Sequence, residues 1–211
     1  MVRGPTLESP PTGRQFLWSL LHTSSRLFPA LKKLSARVGS DPLLVQAAGG
    51  NTSLKQEGVM WIKASGTWLR DAGILDIFVP VQHEALLAAL ARNDPACESC
   101  TDFVMADLNA TGLRPSIETT VHALMPQRVV VHMHCVNTIA WAIRGDAEQR
   151  LTEKLKSFNW AFIPYARPGL PLANAIAARL KPGIDVIILG NHGLVVAAES
   201  VAEAEKLLDR V

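Results

Sequence analysis

The sequence predicts an α/β fold in which helices cover a β-sheet. Three observations predict it. Runs rich in β-branched residues, at 128–135 and 185–189, are typical of buried strands. Segments with helical spacing of apolar residues, such as 83–92 and 172–180, lie between the strand-like runs. Turns rich in glycine, serine and proline separate the two kinds of segment.

Length and composition limit the possible classes of protein. The 211 residues can form one sizeable core, and 48% hydrophobic with 19% charged residues is typical of a globular chain. No apolar run reaches the roughly 20 residues that cross a bilayer, and the N-terminus lacks the features of a secretory signal, so we expect a cytoplasmic protein without a membrane partner. A net charge of +2 gives no basic stripe for nucleic acid, so the expected partner is a small molecule.

The first half of the chain predicts a helix followed by short strands. The prolines at 5, 10 and 11 indicate a disordered leader over 1–13, and we expect a single domain over 14–211. Apolar spacing predicts the helices, β-branched content predicts the strands, and small residues predict the turns. In chain order these elements are a helix at 15–38, a turn at 49–53, a strand at 59–63, a turn at 64–67, a strand at 74–79 and a helix at 83–92.

The second half predicts alternating helices and strands. A helix at 117–124 stops before Pro126 because proline disfavours helix in the residue that precedes it. The remaining predicted elements are a strand at 128–135, helices at 138–143 and 147–155, an extended segment at 161–165, a helix at 172–180, a strand at 185–189, a tight turn at 190–193 and its hairpin partner at 194–197. Ser200 is expected to cap a last helix, which we expect to continue past Val211 in the natural protein.

Three histidines are candidate metal ligands. Side chains alternate along a strand, so His132 and His134 project to the same face and can converge on one cation. His192 lies in a tight turn that could direct it inward as a third ligand. Nitrogen ligands suit zinc, and three of them leave a fourth position open for substrate. On spacing alone, however, one H-x-H motif is more often structural or at the surface.

Other polar residues could complete such a site. Glu118 lies at the start of a predicted helix, where a carboxylate could ligate the ion or transfer protons. Three turns offer backbone N–H groups and hydroxyls to an anion, although each alone is more often an ordinary loop. These turns are Gly50-Asn51-Thr52-Ser53, Ala64-Ser65-Gly66-Thr67 and Pro115-Ser116. The odd number of cysteines (97, 100 and 135) argues against a disulfide framework.

Together these motifs resemble those of the class II aldolase/adducin family from about Gln46 to Val211. The segment 163–169 and the residues 115–119 look most like the aldolase part of rhamnulose-1-phosphate aldolase/lactaldehyde dehydrogenase fusion proteins. The matching motifs are Gly49-Gly50-Asn51-Thr52-Ser53, Lys63-Ala64-Ser65-Gly66, Pro115-Ser116-Ile117-Glu118-Thr119 with His122, His132-Met133-His134 and Asn191-His192-Gly193.

The resemblance implies a three-layer fold with a central, mostly antiparallel sheet flanked by helices, usually assembled as a homotetramer. It implies Zn²⁺ on His132, His134 and His192, with Glu118 as acid/base and Tyr165 as a proton donor. It places a substrate phosphate at the residues Asn51, Ser65, Gly66 and Ser116. The implied activity is retro-aldol cleavage of a ketose 1-phosphate to dihydroxyacetone phosphate and an aldehyde.

Alternatives remain at the level of sequence. Ile117 stands where many members of the family have a second serine, and Ala64 replaces a more common glycine or proline. Both departures affect the expected substrate more than the expected metal. A sugar-phosphate 4-epimerase, dehydratase or decarboxylase would carry the same motifs. A non-catalytic adducin-like interaction module typically lacks the metal histidines, and a purely structural ion would have a fourth protein ligand.

Overall fold

A computed structural model describes residues 28–211, so the predicted leader and the part of the first predicted helix before residue 28 lie outside the described residues. The described chain forms seven α-helices and seven strands. The helices are α1 at 28–39, α2 His83–Leu90, α3 Thr119–Leu124, α4 Val136–Ala142, α5 Ala147–Lys154, α6 Leu170–Ala177 and α7 Val201–Arg210. The strands are β1 Asn51–Gln56, β2 Val59–Lys63, β3 Phe78–Gln82, β4 Val129–Met133, β5 Trp160–Ile163, β6 Val186–Leu189 and β7 Gly193–Ala198.

The strands form one sheet in the order β3-β2-β1-β4-β7-β6-β5. All neighbouring pairs are antiparallel except β5 with β6, which is parallel. The register places Asn51 of β1 opposite His132 of β4, and Val195 of β7 pairs with His132 on the other side. The predicted mostly antiparallel sheet is therefore confirmed, and its central strands β1, β4 and β7 are the ones that meet at the histidines.

Helices cover both faces of the sheet, which gives three layers. One core joins apolar residues of α1, α4, α5 and α7 to residues such as Leu54, Val131 and Val196. On the opposite face, α2, α3 and α6 pack over residues such as Ile62, Val130 and Val195. Because side chains alternate along β4, Val131 faces the first core while His132 faces the layer of α3.

Several predicted boundaries move. The strand predicted at 74–79 was wrong in position: β3 begins at Phe78, which is the first residue with a partner on β2. Ile74 and Leu75 precede it in an exposed loop, 83% and 53% exposed, so their apolar character does not reflect burial in a strand. Residues 51–53 belong to β1 rather than to the predicted turn, and α3 begins two residues later than predicted. Ser200 caps α7 as predicted, since its hydroxyl accepts from the N–H of Glu203.

Within residues 28–211, no helix combines the length and the apolar character that spanning a bilayer requires.

Candidate metal centre and substrate-binding turns

Four side chains with metal-ligating atoms meet where β4 ends. His132 lies in β4, His134 directly follows the strand, and His192 lies in the turn between β6 and β7. Glu118 occupies the residue before the first turn of α3. One ligand atom from each of these four residues lies within 4.8 Å of the others. The structure therefore brings together the three histidines and the glutamate that the sequence singled out.

The imidazole rings surround the Glu118 carboxylate. The ring centroid of His132 lies 5.0 Å from that of His134 and 4.9 Å from that of His192. Glu118 Oε1 lies 3.1 Å from His132 Nε2 and 2.9 Å from His192 Nε2. His132 is fully buried and Glu118 is 6% exposed, whereas His134 and His192 are only partly buried, so the cluster opens to solvent on the side of these two rings.

The hydrogen bond of His132 shows why this cluster fits a cation. His132 Nδ1 lies 3.1 Å from the carbonyl oxygen of Leu194, which only accepts, so Nδ1 carries the hydrogen. In the neutral ring, Nε2 then presents a lone pair towards the acceptor oxygen of Glu118. Nε2 of His132 and Nε2 of His134 are buried without a hydrogen-bond partner among the described residues. A divalent ion would satisfy these acceptors, and the Leu194 carbonyl would orient the ligating ring.

The protonation states also suit metal binding. Burial by itself raises the pKa of Glu118, but when His132 and His192 are protonated, their charges and hydrogen bonds lower this pKa well below its usual value. Burial, followed by the neighbouring His132, lowers the pKa of His134 to about 4. At neutral pH the glutamate is therefore ionised and His134 is neutral, which are the forms that bind metal ions.

The predicted anion-binding turns lie next to this cluster. Asn51 Nδ2 donates to Glu118 Oε2 at 2.6 Å, and the Ser116 hydroxyl accepts from the Glu118 N–H at 3.2 Å. An antiparallel bridge between Ala64 and Pro115 brings the second turn beside Ser116. Ser65 and Gly66 of that turn are exposed, so they are available to a ligand.

A cleft of about 160 Å³ opens beside the second turn, lined in part by Ser65, Arg114 and Ile117. The Ser65 N–H donates to the Arg114 carbonyl at 2.9 Å, so the turn and the residues before Ser116 are joined through the backbone. No carboxylate of residues 28–211 lies within 4 Å of the Arg114 guanidinium. Glu98 also lines the cleft, but its carboxylate pairs with Arg167 at 2.9 Å, so the Arg114 guanidinium is the charge in the cleft that could meet an anion.

Lys63 belongs to one of the matching motifs, but the sequence does not reveal that it is buried, because lysines are usually solvated. It is only 2% exposed, and its ammonium donates to the carbonyls of Ala48 at 3.0 Å and Thr67 at 2.7 Å. A third, longer bond reaches the Ala64 carbonyl at 3.3 Å. Burial lowers its pKa to about 8, while the charge of Glu118 raises it. Lys63 thereby ties the segment before Asn51 to the second turn.

Gly49 lies unusually close to a candidate ligand. A Cβ atom at Gly49 would lie 2.8 Å from His134 Nδ1 and 2.9 Å from the Gln46 carbonyl oxygen. Such distances are shorter than those that real Cβ atoms make, so only glycine leaves His134 in its present place.

Two predicted features remain apart from the cluster. The Tyr165 backbone lies against the turn that carries His192, since a Cβ at Gly190 would be 3.0 Å from the Tyr165 nitrogen. The Tyr165 side chain is 64% exposed and makes no hydrogen bond to another described residue, so its predicted role stays a prediction. All three cysteines are free, as expected from their odd number, and Cys97 and Cys100 are fully buried.

The family model for the Class II Aldolase and Adducin N-terminal domain matches residues 34–211. The chain belongs to this family. The four-residue cluster of this chain could hold a metal ion, which is consistent with the metal dependence of class II aldolases. Family membership indicates an enzyme of this superfamily.

Solved structures share the fold. The N-terminal class II aldolase domain of a conserved protein from Thermoplasma acidophilum is 27% identical, with a TM-score of 0.68 over 85% of this chain and 92% of that one. An L-fuculose-1-phosphate aldolase from Thermus thermophilus is 17% identical, with a TM-score of 0.59 over 88% and 89% of the two chains. At 17% identity, the similarity to the Thermus thermophilus enzyme shows only that the two chains share a fold.

A curated relative from Bacillus subtilis (strain 168), described as the uncharacterised oxidoreductase YuxG, is 28% identical over 175 residues. That match covers 77% of this chain and 25% of YuxG, so the chain spans about a quarter of the length of this relative.

Proposed function

We propose that this chain is a zinc-dependent aldehyde-lyase that cleaves a ketose 1-phosphate to dihydroxyacetone phosphate and an aldehyde. The observation that carries the proposal is the convergence of His132, His134 and His192 on the Glu118 carboxylate, beside turns suited to an anion. An adducin-like module without catalysis would not need a buried cluster of metal-ligating atoms, whose desolvation costs free energy.

His132, His134 and His192 would hold the ion through their ring nitrogens, and nitrogen ligands favour zinc among the divalent metals. When bound, the ion supplies a Lewis acid that stabilises the negative oxygen formed when the C3–C4 bond breaks, typically by several kcal/mol. The carbonyl and neighbouring hydroxyl of the substrate would lie on the side of the cluster that faces the two turns.

Glu118 would transfer the proton that interconverts the enediolate and the ketone. Against the opposing effect of burial, the charges and hydrogen bonds of His132 and His192 lower its pKa well below the usual value, so it is ionised in this arrangement. It would become a stronger base, able to accept the proton, once the two imidazoles bind the ion and no longer donate to it. The hydrogen bond from Asn51 Nδ2 fixes the outer oxygen, Oε2, and leaves Oε1 towards the histidines. Tyr165 would serve the aldehyde end of the substrate.

The substrate phosphate would bind at Asn51, Ser65, Gly66 and Ser116. Hydroxyls and backbone N–H groups in such turns bind phosphate oxygens. Ser65 and Gly66 are exposed, and Arg114 in the adjoining cleft would add a positive charge. The named activity of the Thermus thermophilus neighbour, an L-fuculose-1-phosphate aldolase on the same fold, agrees with a phosphorylated sugar. The homotetrameric assembly, the cytoplasmic location and the single domain over 14–211 stay predictions.

Purified protein supplied with zinc and a panel of ketose 1-phosphates should release dihydroxyacetone phosphate, and a chelator should abolish the release. Glu118→Gln should retain part of the metal binding and lower turnover by about 10²–10⁴-fold, because it removes the acid/base group. Glu153→Gln, on an exposed position of α5, is the matched control and should keep full activity.

Product analysis by NMR separates the proposed lyase from other enzymes on this scaffold. Two fragments indicate an aldolase, whereas a single isomer indicates an epimerase and loss of water or carbon dioxide indicates a dehydratase or decarboxylase. Absence of any chelator-sensitive cleavage across the panel would refute the proposal.

A further inference from the structure

One face of β1 is polar and buried along its whole length. The residues at alternate positions are Asn51, Ser53 and Lys55, which are 3%, 0% and 7% exposed. Side chains two apart on a strand lie on one face, about 6.6–6.8 Å from each other. Four residues of an α-helix advance about 6 Å, so a helix alongside β1 can match the strand with side chains one turn apart.

The helix α3 matches β1 in this way. Asn51 donates to Glu118 Oε2, and one turn further along the helix His122 Nδ1 lies 2.8 Å from the Ser53 hydroxyl. At the helix end, the Lys55 ammonium donates to the Gln127 carbonyl at 2.8 Å and also to that of Met125. The polar contacts of β1 with α3 therefore run from the candidate metal centre to the opposite end of the helix.

His122 is costly to bury. It is fully buried, and its Nε2 has no hydrogen-bond partner among the described residues. An apolar side chain of similar size would avoid the free-energy cost of an unpaired buried nitrogen, so stability alone does not explain the presence of an imidazole here. Among the described residues, Ser53 is the one hydrogen-bond partner of the His122 side chain, and an apolar residue could not supply this bond.

The position of Glu118 depends on how α3 lies on β1. The helix α3 has six residues, which are too few to be stable in isolation, and the Glu118 side chain makes no capping hydrogen bond to it. Val121 and Ala123 pack into apolar cores, but dispersion contacts have little directionality and resist sliding and rotation weakly. The hydrogen bond between His122 and Ser53, one helical turn from Glu118, is directional and can therefore restrict both the sliding and the rotation of α3 on β1.

We propose that Ser53 and His122 are positioning residues, whose hydrogen bond fixes α3 against β1 and so holds the Glu118 carboxylate against His132 and His192. This inference rests on the proposed metal-dependent function. Both residues are fully buried, so their effect would be exerted through Glu118 rather than by contact with the substrate. Breaking the bond lets the helix shift, which misplaces the carboxylate while the three histidines, on the sheet and its turns, stay in place.

A matched hydrogen bond lies on the opposite face of the same strand. Ser35 of α1 and Thr52 of β1, both fully buried, are joined at 2.6 Å. Ser35→Ala therefore removes a buried hydroxyl contact of β1, as Ser53→Ala does, but on the face away from the metal centre. Thermal unfolding should show that both variants fold with lowered midpoints, which makes Ser35→Ala the control for a general loss of stability.

The test uses the full chain loaded with cobalt as a spectroscopic substitute for zinc. Cobalt affinity, the visible spectrum of the bound ion, and kcat and KM for ketose 1-phosphate cleavage are measured for wild type and variants. Ser53→Ala and His122→Leu should lower kcat by about 10–100-fold, with KM little changed, and should alter the cobalt spectrum. His122→Asn, which keeps a polar atom at the place of Nδ1, should restore part of both signals, and Ser35→Ala should match wild type.

Three results would overturn the proposal. These are a Ser53→Ala spectrum and kcat equal to those of wild type, equal losses in Ser35→Ala and Ser53→Ala, and a wild-type chain that binds no cobalt. A wild type that binds cobalt but cleaves no ketose 1-phosphate refutes the lyase activity alone. In that case an altered spectrum in Ser53→Ala with an unaltered one in Ser35→Ala still supports the positioning role.

Discussion

Gly49→Ala tests the metal centre without removing a ligand. The added Cβ would lie 2.8 Å from His134 Nδ1, whereas ordinary contact begins at 3.4 Å, so the ring must move by about 0.6 Å. Metal–nitrogen bonds of about 2.0–2.1 Å tolerate errors of only about 0.2 Å. The variant should therefore bind zinc about 10–100-fold more weakly, the usual cost of disturbing the residues around a ligand.

The assay is competition for zinc against a chelator of known affinity, with thermal unfolding measured in parallel on the metal-free protein. Gly145→Ala is the control, because a Cβ at that position meets no atom within 4 Å. If Gly49→Ala binds zinc as tightly as Gly145→Ala while both remain folded, His134 is not a ligand in the geometry described.

Three further predictions concern stability. Gly193→Ala places a Cβ 2.3 Å from the Met133 carbonyl oxygen, so we expect a loss of about 1–3 kcal/mol and a fall of about 2–4 °C in Tm per kcal/mol, measured by calorimetry. Lys63→Met removes the donor to the Ala48 and Thr67 carbonyls, while the Ala64 carbonyl keeps the Thr67 hydroxyl as a donor. The variant should cost about 1–3 kcal/mol in urea unfolding, with a raised KM for the phosphorylated substrate; an unchanged midpoint would contradict this. Burial lowers the pKa of His122 well below 6.5, so the unfolded chain takes up a proton below about pH 6.5 that the folded chain refuses. Stability of the metal-free protein should therefore fall as pH decreases below 6.5, and His122→Asn should flatten that slope by up to about 1.4 kcal/mol per pH unit.

The sequence was sufficient for most of the fold because β-branched runs and helical periodicity reflect burial directly. The strand around His132 and the turn at His192 were predicted, and both lie where expected. Periodicity does not reveal which strands pair, so the parallel pairing of β5 with β6 could not be derived from it. The strand predicted at 74–79 was misplaced because Ile74 and Leu75 are apolar but exposed.

The sequence singled out the four residues that meet at the candidate site, but it did not reveal their surroundings. Alternation placed His132 and His134 on one face, although His134 lies just past the last residue of β4. The burial of Lys63 depends on three carbonyls from two separate loops, a tertiary arrangement that no local pattern contains. The contact of Ser53 with His122 likewise joins residues 69 apart in the chain.

The most direct test of the account is metal analysis after dialysis against zinc, comparing wild type with His132→Ala. Among the three candidate histidine ligands, His132 is the fully buried one, with Nδ1 bonded to the Leu194 carbonyl and Nε2 facing Glu118. We expect about one zinc ion per chain in wild type and far less in the variant, with the fold retained by circular dichroism. A folded His132→Ala variant that keeps the wild-type zinc content, or a wild type without zinc, would contradict the account.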